Sequence, residues 1–158
     1  MKLLMVCIGN ICRSPLAEGI MKEKLKKAGL NFFVDSAGMI NYHAGQCPDF
    51  RSIEIAKQYG IDISGQTARQ FTKYDFEKFD LIFAMDNSVY EELLSIAASE
   101  KQKTKIHRFL DFANWKILSE VPDPYYGSKK DFEDTYHLIN VASEKIIEKF
   151  LNTKKQQK

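Results

Sequence analysis

The stretch VCIGNICRSPLAE, residues 6–18, decides the fold because it links the end of an apolar segment to the start of a helical one. The segment LLMV (3–6) is short and continuously apolar, which is typical of a parallel strand buried on both faces. Ser14 followed by Pro15 predicts a helix start, because serine is a favoured N-cap residue and proline suits the first helical position. Cys7 is therefore expected at the carboxyl end of a strand, where parallel α/β sheets bind ligands.

The rest of the chain repeats this alternation of apolar strands and amphipathic helices. Further strands are predicted at FFVDS (32–36), DLIFAM (80–85) and KIHRFL (105–110). Helices are predicted to begin at Ser14, Pro48, Thr72 and Asn87, with a long final helix over residues 131–151. The pattern favours a fold of class α/β, an open parallel sheet covered by helices, in one domain over residues 1–151. The basic, polar residues 152–158 are predicted to form a disordered tail.

Composition narrows the classes of protein that the chain can represent. Its 158 residues include 23 basic and 21 acidic ones, a net charge of +2 that is too balanced to indicate nucleic-acid binding. No segment approaches the roughly 18 apolar residues of a membrane-spanning helix. Three cysteines are too few for a disulfide scaffold. We therefore expect a cytoplasmic protein that binds neither nucleic acid nor membranes.

The loop from Cys7 to Ser14 has the composition of an anion site. Backbone N–H groups of such a loop can converge on one point, and the following helix adds unpaired donors and a partial positive charge. Gly9 and Asn10 tolerate the backbone angles that this requires, and Arg13 offers a planar fork that matches two phosphate oxygens. Because helix N-termini and cations lower thiol pKa values, the same field predicts a thiolate at Cys7, able to attack phosphorus.

Two other readings of the cysteines remain open from the residues alone. A C-x5-R spacing is weak evidence by itself, so Cys7 could be an inert buried side chain. Cys7 and Cys12 could also be half of a zinc site, but zinc would need two further ligands. Only Cys47 and three scattered histidines remain to supply them, so no metal is expected.

A second motif, VPDPYYG (121–127), places a carboxyl group in a stiff loop. Prolines on both sides of Asp123 restrict the backbone and disfavour a helix. Asp123 could protonate the leaving oxygen of an aryl phosphate and later accept a proton from water. Tyr125 and Tyr126 could stack on the ring of a substrate. Taken alone, the motif is more typical of an ordinary turn than of a catalytic loop.

Together, CIGNICRSP (7–15) and DPYYG (123–127) resemble the low-molecular-weight protein tyrosine phosphatase family. The resemblance extends over nearly the whole chain through DSAG (35–38), NYHAG (41–45), PDFR (48–51), ARQ (68–70) and FDLIFAMD (79–86). It implies a three-layer fold with a four-stranded parallel sheet in the order 2-1-3-4. It also implies metal-independent hydrolysis of phosphotyrosine through a phosphocysteine intermediate, with no cofactor.

The resemblance also implies a role for each matching residue. Cys7 would be the nucleophile, Arg13 would bind the phosphate, and Asp123 would be the general acid, while Ser14 would stabilise the thiolate. The implied phosphate-binding loop comprises Ile8, Gly9, Asn10, Ile11, Cys12, Arg13 and Ser14. Phosphotyrosine proteins are the implied substrates of a monomeric enzyme, and inorganic phosphate and vanadate are the expected inhibitors.

Supporting residues follow from the same resemblance. Asn10 would hold the strained loop with help from Ser36, and Cys12 would form a reversible disulfide with an oxidised Cys7. The rim of the cleft would comprise Tyr42, Tyr125 and Tyr126. Substrate preference is open where Asn41 and Tyr42 depart from many members, and Gln66 stands where some members have histidine.

Three alternative functions are compatible with the same fold, and particular residues argue against each of them. An arsenate reductase of this fold needs a downstream cysteine relay, and no cysteine follows Cys47. A protein arginine phosphatase tends to have threonine at the position of Ile11 and to lack the pair Tyr125 and Tyr126. A non-catalytic phosphate-binding module would be expected to have lost Cys7 or Asp123. Phosphotyrosine hydrolysis is the function that the sequence favours.

Overall fold

The computed structural model describes residues 1–156 and contains one four-stranded sheet. Its strands are Lys2–Cys7 (β1), Phe33–Gly38 (β2), Leu81–Ala84 (β3) and Ile106–Arg108 (β4). They lie in the order β2-β1-β3-β4, and every neighbouring pair is parallel. This order and direction confirm the predicted sheet. Because β1 and β3 are central, the loops after them lie at the middle of the carboxyl edge.

Seven helices cover the sheet within the described residues: Arg13–Lys27 (α1), Phe50–Gln58 (α2), Asp75–Lys78 (α3), Asn87–Ile96 (α4), Glu100–Lys103 (α5), Phe109–Phe112 (α6) and Lys129–Gln156 (α7). Residues of β1 alternate between the two faces of the sheet, so Leu3 and Met5 pack in one apolar cluster while Leu4 and Val6 pack in the other. All four side chains have no exposed surface, as predicted for a strand buried on both sides. No helix in residues 1–156 combines the length and apolar character needed to cross a bilayer.

The start of α1 differs from the prediction. The helix begins at Arg13 with Cys12 as its N-cap, and no side chain caps it. Ser14 lies inside the first turn, where its hydroxyl contacts the Cys7 thiol instead of a backbone N–H group. Pro15 occupies the third helical position, which it tolerates because N–H groups of the first turn have no intrahelical acceptor. The N-terminus of α1 is therefore left without a cap of its own.

The end of α7 also differs from the prediction. The helix continues to Gln156, so the expectation of a disordered tail from residue 152 is wrong for residues 152–156. This segment contains no glycine or proline, and lysine and glutamine favour helices. The Thr153 hydroxyl also donates to the carbonyl of Lys149 at 3.0 Å. Residues 157 and 158 of the predicted tail lie outside the described residues.

Two short helices, α5 and α6, were not predicted, since a single turn leaves no periodic pattern to detect. The other boundaries agree with prediction within a few residues. Gly29 and Gly60 follow α1 and α2 with φ of 67° and 78°, the left-handed conformation that glycine adopts without strain. These two glycines end the helices close to where the sequence indicated.

Candidate active site

The loop between β1 and α1 is fixed by backbone hydrogen bonds from two neighbouring segments. The carbonyl of Cys7 accepts from Met39 N at 3.0 Å, and that of Ile8 accepts from Ile40 N at 3.1 Å. On the other side, the N–H group of Asp49 donates to the carbonyl of Ile11 at 2.8 Å. The carbonyls are thus turned outward. Within residues 1–156, the N–H groups of Cys12, Arg13 and Ser14 have no acceptor in the protein; they are available to an anion.

Asn10 holds the strained part of this loop. Its φ of 58° is left-handed, which asparagine tolerates better than most residues. Its amide nitrogen donates to Ser14 Oγ at 2.8 Å and to Ser36 Oγ at 3.0 Å, while its Oδ1 accepts from Arg69 N at 3.0 Å. The structure therefore brings together Asn10 and Ser36, as the resemblance implied. A buried side chain with three hydrogen bonds offsets the cost of the backbone conformation.

The network continues to a buried carboxylate that the sequence analysis missed. Ser36 Oγ donates to Glu18 Oε2 at 2.5 Å, and Glu18 forms an ion pair with Lys22. Glu18 is only 4% exposed, although glutamate is rarely buried in proteins. Because Ser36 donates its single proton to Glu18, it can only accept from Asn10. The Asn10 amide group therefore donates to both serines, Ser36 and Ser14.

The Cys7 thiol lies at the base of the cleft and is 2% exposed. Ser14 Oγ is 3.0 Å from its Sγ atom, and the Asn10 N–H group donates to Sγ at 3.3 Å. Ser14 already accepts a hydrogen bond from Asn10, so its own proton is available for Sγ. The Ser14 hydroxyl and the Asn10 N–H group thus both face the sulfur atom at the base of the cleft.

Arg13 is buried beside the thiol and held by residues far away in the sequence. Its Nη1 donates to Asp86 Oδ2 at 2.8 Å and to the carbonyl of Val121 at 3.0 Å. Burial disfavours its charge, but the negative charges of Cys7, Asp123 and Asp86 outweigh this, and the pKa of Arg13 is raised above its ordinary value. With Nη1 anchored, the opposite edge of the guanidinium group is left for a bound anion.

Asp86 is the second functional residue that the sequence analysis missed. It lies two residues after the end of β3 and caps α4, since its Oδ1 accepts from Val89 N at 2.8 Å. Its other oxygen holds Arg13. The available signal was a carboxylate at the carboxyl end of a central strand, directly beside the loop after β1.

Replacement of Asp86 by asparagine should separate these two contacts. Asparagine also caps helices, so α4 should remain intact, but the charged contact with Arg13 is lost. We expect a loss of about 1–3 kcal/mol in the free energy of unfolding, measured by urea denaturation, and a fall in kcat/KM for an aryl phosphate of about 10-fold.

The matched control is Asp75→Asn, because Asp75 forms a similar buried pair with Arg69 outside the cleft. This variant should be destabilised with little change in kcat/KM. An unchanged kcat/KM in Asp86→Asn would show that Asp86 does not position Arg13.

Asp123 faces the same cleft from the loop between α6 and α7. Its side chain is 46% exposed, and its Oδ2 lies 3.6 Å from Nη2 of Arg13. Its other oxygen accepts from Tyr125 N at 3.2 Å. The carboxyl group therefore faces the cysteine loop, while its contact with Tyr125 N also forms part of a partly exposed turn.

These residues line a cleft with a volume of about 450 Å³. The base contains Cys7, Arg13 and the exposed edges of neighbouring loop residues, and the walls carry aromatic side chains. Of the predicted residues, the structure places the following around the cleft: Cys7, Ile8, Gly9, Ile11, Cys12, Arg13, Tyr42, Asp123, Tyr125 and Tyr126. Ile40 and His43 also line it and were not predicted.

The residues singled out in the sequence that lie outside this lining include Asn10, Ser14, Ser36, Asn41 and Gln66. Asn10, Ser14 and Ser36 support the loop from behind. Gln66 donates to the carbonyl of Pro15 at 3.1 Å, so it contacts the first turn of α1 and not the cleft.

Cys12 lies next to the cleft but is chemically unlike Cys7. Burial, followed by the negative charges of Asp49, Cys7 and Asp123, raises the pKa of Cys12 to about 12. Cys12 is therefore a neutral thiol at physiological pH. The implied disulfide with Cys7 stays a prediction, since both cysteines are free in the structure.

Alkylation tests this difference. At pH 7, iodoacetamide should modify Cys7 and the exposed Cys47, while Cys12 should stay unmodified, because its raised pKa keeps it in the thiol form and only thiolates react rapidly. Peptide mass spectrometry after a timed reaction gives the extent at each site. Urea-unfolded protein is the control, in which all three cysteines should react. Rapid labelling of Cys12 in the folded protein would contradict its raised pKa.

The fold and this cleft define a class: a parallel α/β protein with an anion-binding loop that carries a cysteine and an arginine. Comparison with known proteins makes this specific. Residues 2–157 match the model of the family described as low molecular weight phosphotyrosine protein phosphatase. The chain belongs to that family.

Individual relatives align with this chain over nearly their full length. A low molecular weight protein-tyrosine-phosphatase of Bacillus subtilis is 40% identical, with 91% of this chain and 92% of the relative covered. Among solved structures, a protein tyrosine phosphatase from Entamoeba histolytica with Hepes in its active site is 42% identical. It superposes with a TM-score of 0.91 and covers 98% of this chain and 99% of the other. A Drosophila arginine phosphatase is also similar, with 34% identity, a TM-score of 0.89, and coverage of 95% and 98%.

Proposed function

We propose that this protein hydrolyses phosphotyrosine in proteins, without a metal ion, through a phosphocysteine intermediate. The observation that carries the proposal is that Cys7, Arg13 and Asp123 line one cleft although the last lies 110 residues beyond the second in sequence. A nucleophile, an anion-binding cation and a carboxyl group are the groups that phosphate-ester hydrolysis requires.

Phosphate binding would use the loop that the N-terminus of α1 completes. The free N–H groups of Cys12, Arg13 and Ser14 and the partial positive charge of the helix favour a dianion. Arg13 would contribute its unanchored edge, since Nη1 is held by Asp86 and Val121. The bound phosphorus then lies close to Cys7, so that attack becomes an intramolecular step.

The first chemical step transfers the phosphoryl group to sulfur. A bond forms between Sγ of Cys7 and phosphorus while the bond from phosphorus to the tyrosine oxygen breaks. Asp123 gives its proton to that oxygen, so that neutral tyrosine leaves and the aspartate carboxylate remains. Arg13 and the loop N–H groups stabilise the charge on the equatorial oxygens.

The second step hydrolyses the intermediate. The Asp123 carboxylate accepts a proton from water as the water oxygen attacks phosphorus, and the bond from sulfur to phosphorus breaks. Ser14 and Asn10 N–H, which contact Sγ in the structure, stabilise the thiolate that leaves. Inorganic phosphate is released, and Asp123 is protonated again for the next cycle.

The walls of the cleft favour an aromatic ester. Tyr42, Tyr125 and Tyr126 are 78%, 37% and 96% exposed, so their rings form an open aromatic rim above the buried thiol. A phosphorylated phenol can stack on such rings while its phosphate reaches Cys7. Phosphoserine carries no ring and would gain none of these contacts.

Hydrolysis of p-nitrophenyl phosphate at pH 5–7 tests the reaction type. Turnover should persist in excess chelator and should be blocked by vanadate, which mimics the phosphoryl group. Loss of activity on chelation would indicate a metal phosphatase. Vanadate-sensitive binding without turnover would indicate a phosphate-binding module instead.

Paired phosphopeptides test the substrate class, because the Drosophila relative is described as an arginine phosphatase. Peptides of one sequence carrying phosphotyrosine or phosphoarginine are compared by phosphate release. The aromatic rim and Ile11, which packs with Phe132 and Ala68 at the edge of the cleft, favour the phosphotyrosine peptide. A larger kcat/KM for phosphoarginine would replace phosphotyrosine with phosphoarginine as the proposed substrate.

We also propose that the enzyme acts as a monomer in the cytoplasm. The Entamoeba relative crystallised with one molecule in the asymmetric unit. The exposed Cys47 and the free thiols of the cleft suit a reducing compartment. Size-exclusion chromatography and fractionation of the native cells test these two points.

A further inference from the structure

Arg51, in the first turn of α2, is held rigidly beside the cleft. Its Nε and Nη2 donate to the two carboxylate oxygens of Asp49 at 2.9 and 2.8 Å, a bidentate pair. This pair lowers the pKa of Asp49 below its ordinary value. The backbone N–H group of Asp49 in turn donates to the carbonyl of Ile11. The orientation of the guanidinium plane is thereby tied to the phosphate-binding loop.

Two aromatic rings contact this guanidinium group. Its central carbon lies 4.4 Å from the ring centre of Phe132, at the start of α7, and 5.6 Å from that of Tyr125. Phe132 is 1% exposed and packs with Ile11 and Cys12, so it is a fixed surface. Tyr125 lies in the partly exposed loop that carries Asp123. Arg51 thus connects a rigid element to the loop that carries Asp123.

Tyr125 in turn holds the carboxyl group of Asp123. Its N–H group donates to Asp123 Oδ1, and the other oxygen of Asp123 faces Arg13. The contacts form a closed ring around the cleft: from the phosphate-binding loop to Asp49, Arg51, Tyr125 and Asp123, and back to Arg13 in the same loop. In this ring of contacts, Arg51 is the residue that joins α2 to the loop carrying Asp123.

We propose that Arg51 is a positioning residue for proton transfer: by stacking on Tyr125, it places the Asp123 carboxyl group against the leaving oxygen of the substrate. It does not touch the reacting atoms itself. This inference rests on the proposed function, and it predicts a defect confined to the step that needs the acid. Loss of Arg51 should leave phosphate binding and the thiolate unaffected.

The test compares Arg51→Gln with wild type on two aryl phosphates. The p-nitrophenolate group leaves readily without a proton, whereas phenolate needs one. We measure kcat/KM, which reports the first chemical step. For phenyl phosphate kcat/KM should fall about 5-fold, and for p-nitrophenyl phosphate less than about 2-fold. The inhibition constant of inorganic phosphate should not change. The backbone N–H group of residue 51 still caps onto Asp49, so α2 should stay folded.

Two further variants separate positioning from general stability. Arg51→Lys keeps the charge but loses the planar fork, so it should retain most of the defect on phenyl phosphate. Lys78→Gln removes a cation that also lies between two rings, those of Phe33 and Phe79, at another part of the fold. In this variant, kcat/KM should be unchanged for both phenyl phosphate and p-nitrophenyl phosphate.

The outcomes distinguish this inference from the proposed function. An equal loss on both substrates, no loss on either, or full rescue by lysine would overturn the role of Arg51 while leaving the phosphatase activity established. If the wild-type protein hydrolysed neither substrate, both the proposed function and this inference would be overturned. A loss confined to phenyl phosphate supports the inference.

Discussion

Replacement of Cys7 by serine is expected to abolish turnover of aryl phosphates while leaving the fold and the anion site intact. A serine hydroxyl fits the same position, but it is a far weaker acid than a thiol and stays un-ionised, so it cannot replace the thiolate. We expect kcat to fall by at least about 10⁴-fold, as is typical when an enzyme loses its nucleophile. The decrease is measured with p-nitrophenyl phosphate at saturating concentration.

Phosphate binding tests whether the rest of the site survives in this variant. Arg13 is held by Asp86 and Val121, not by Cys7, so calorimetry should still detect inorganic phosphate. Cys47→Ser is the matched control, because Cys47 is exposed and lies outside the cleft lining; it should retain full activity. Appreciable turnover by Cys7→Ser would mean that Cys7 is not the nucleophile.

Replacement of Asp123 by alanine is expected to lower kcat/KM most for substrates whose phenol is a poor leaving group. Without the acid, charge builds up on the leaving oxygen, and a more basic phenolate suffers more from this. We expect kcat/KM to fall about 10²- to 10⁴-fold for phenyl phosphate and much less for p-nitrophenyl phosphate. The measurement is a plot of log kcat/KM against the pKa of the leaving phenol, which should steepen in the variant.

The control for this variant is Asp134→Ala, since Asp134 is an exposed residue of α7 that pairs only with Lys130 in the described structure. Its plot of log kcat/KM against the pKa of the leaving phenol should have the same slope as that of the wild type. If Asp123→Ala lowered kcat/KM by the same factor for every phenol, the carboxyl group would have an electrostatic or structural role and would not be the general acid.

Much of the fold could be predicted because its signals are local. The apolar segment before Cys7, the helical spacing after it and the glycines at 29 and 60 each depend on a few neighbouring residues. The exact start of α1 could not be predicted, because the same local signal, Ser14 before Pro15, fits a helix cap. A contact with Cys7 uses that hydroxyl instead.

The residues missed in the site share one property: their roles depend on contacts between distant segments. Asp86 reads as an ordinary helix cap until the sheet places it beside Arg13, 73 residues away. Arg51 reads as a surface charge until Phe132 and Tyr125 pack against it. Glu18 reads as part of a charged helix face until Ser36 reaches it from β2. The cysteine and its anion loop were predictable because they are consecutive.

The uncapped start of α1 has a consequence for the protein as a whole. A helix of 15 residues begins here with neither a capping side chain nor an acidic residue in its first turn. The N–H groups that a capping side chain would satisfy are instead left open at the base of the cleft. In the proposed reaction, bound phosphate would supply their missing acceptor, so the same N–H groups that serve binding leave this end of the helix less stable when the cleft is empty. Binding of phosphate would stabilise this helix end, and release of phosphate would remove that stabilisation.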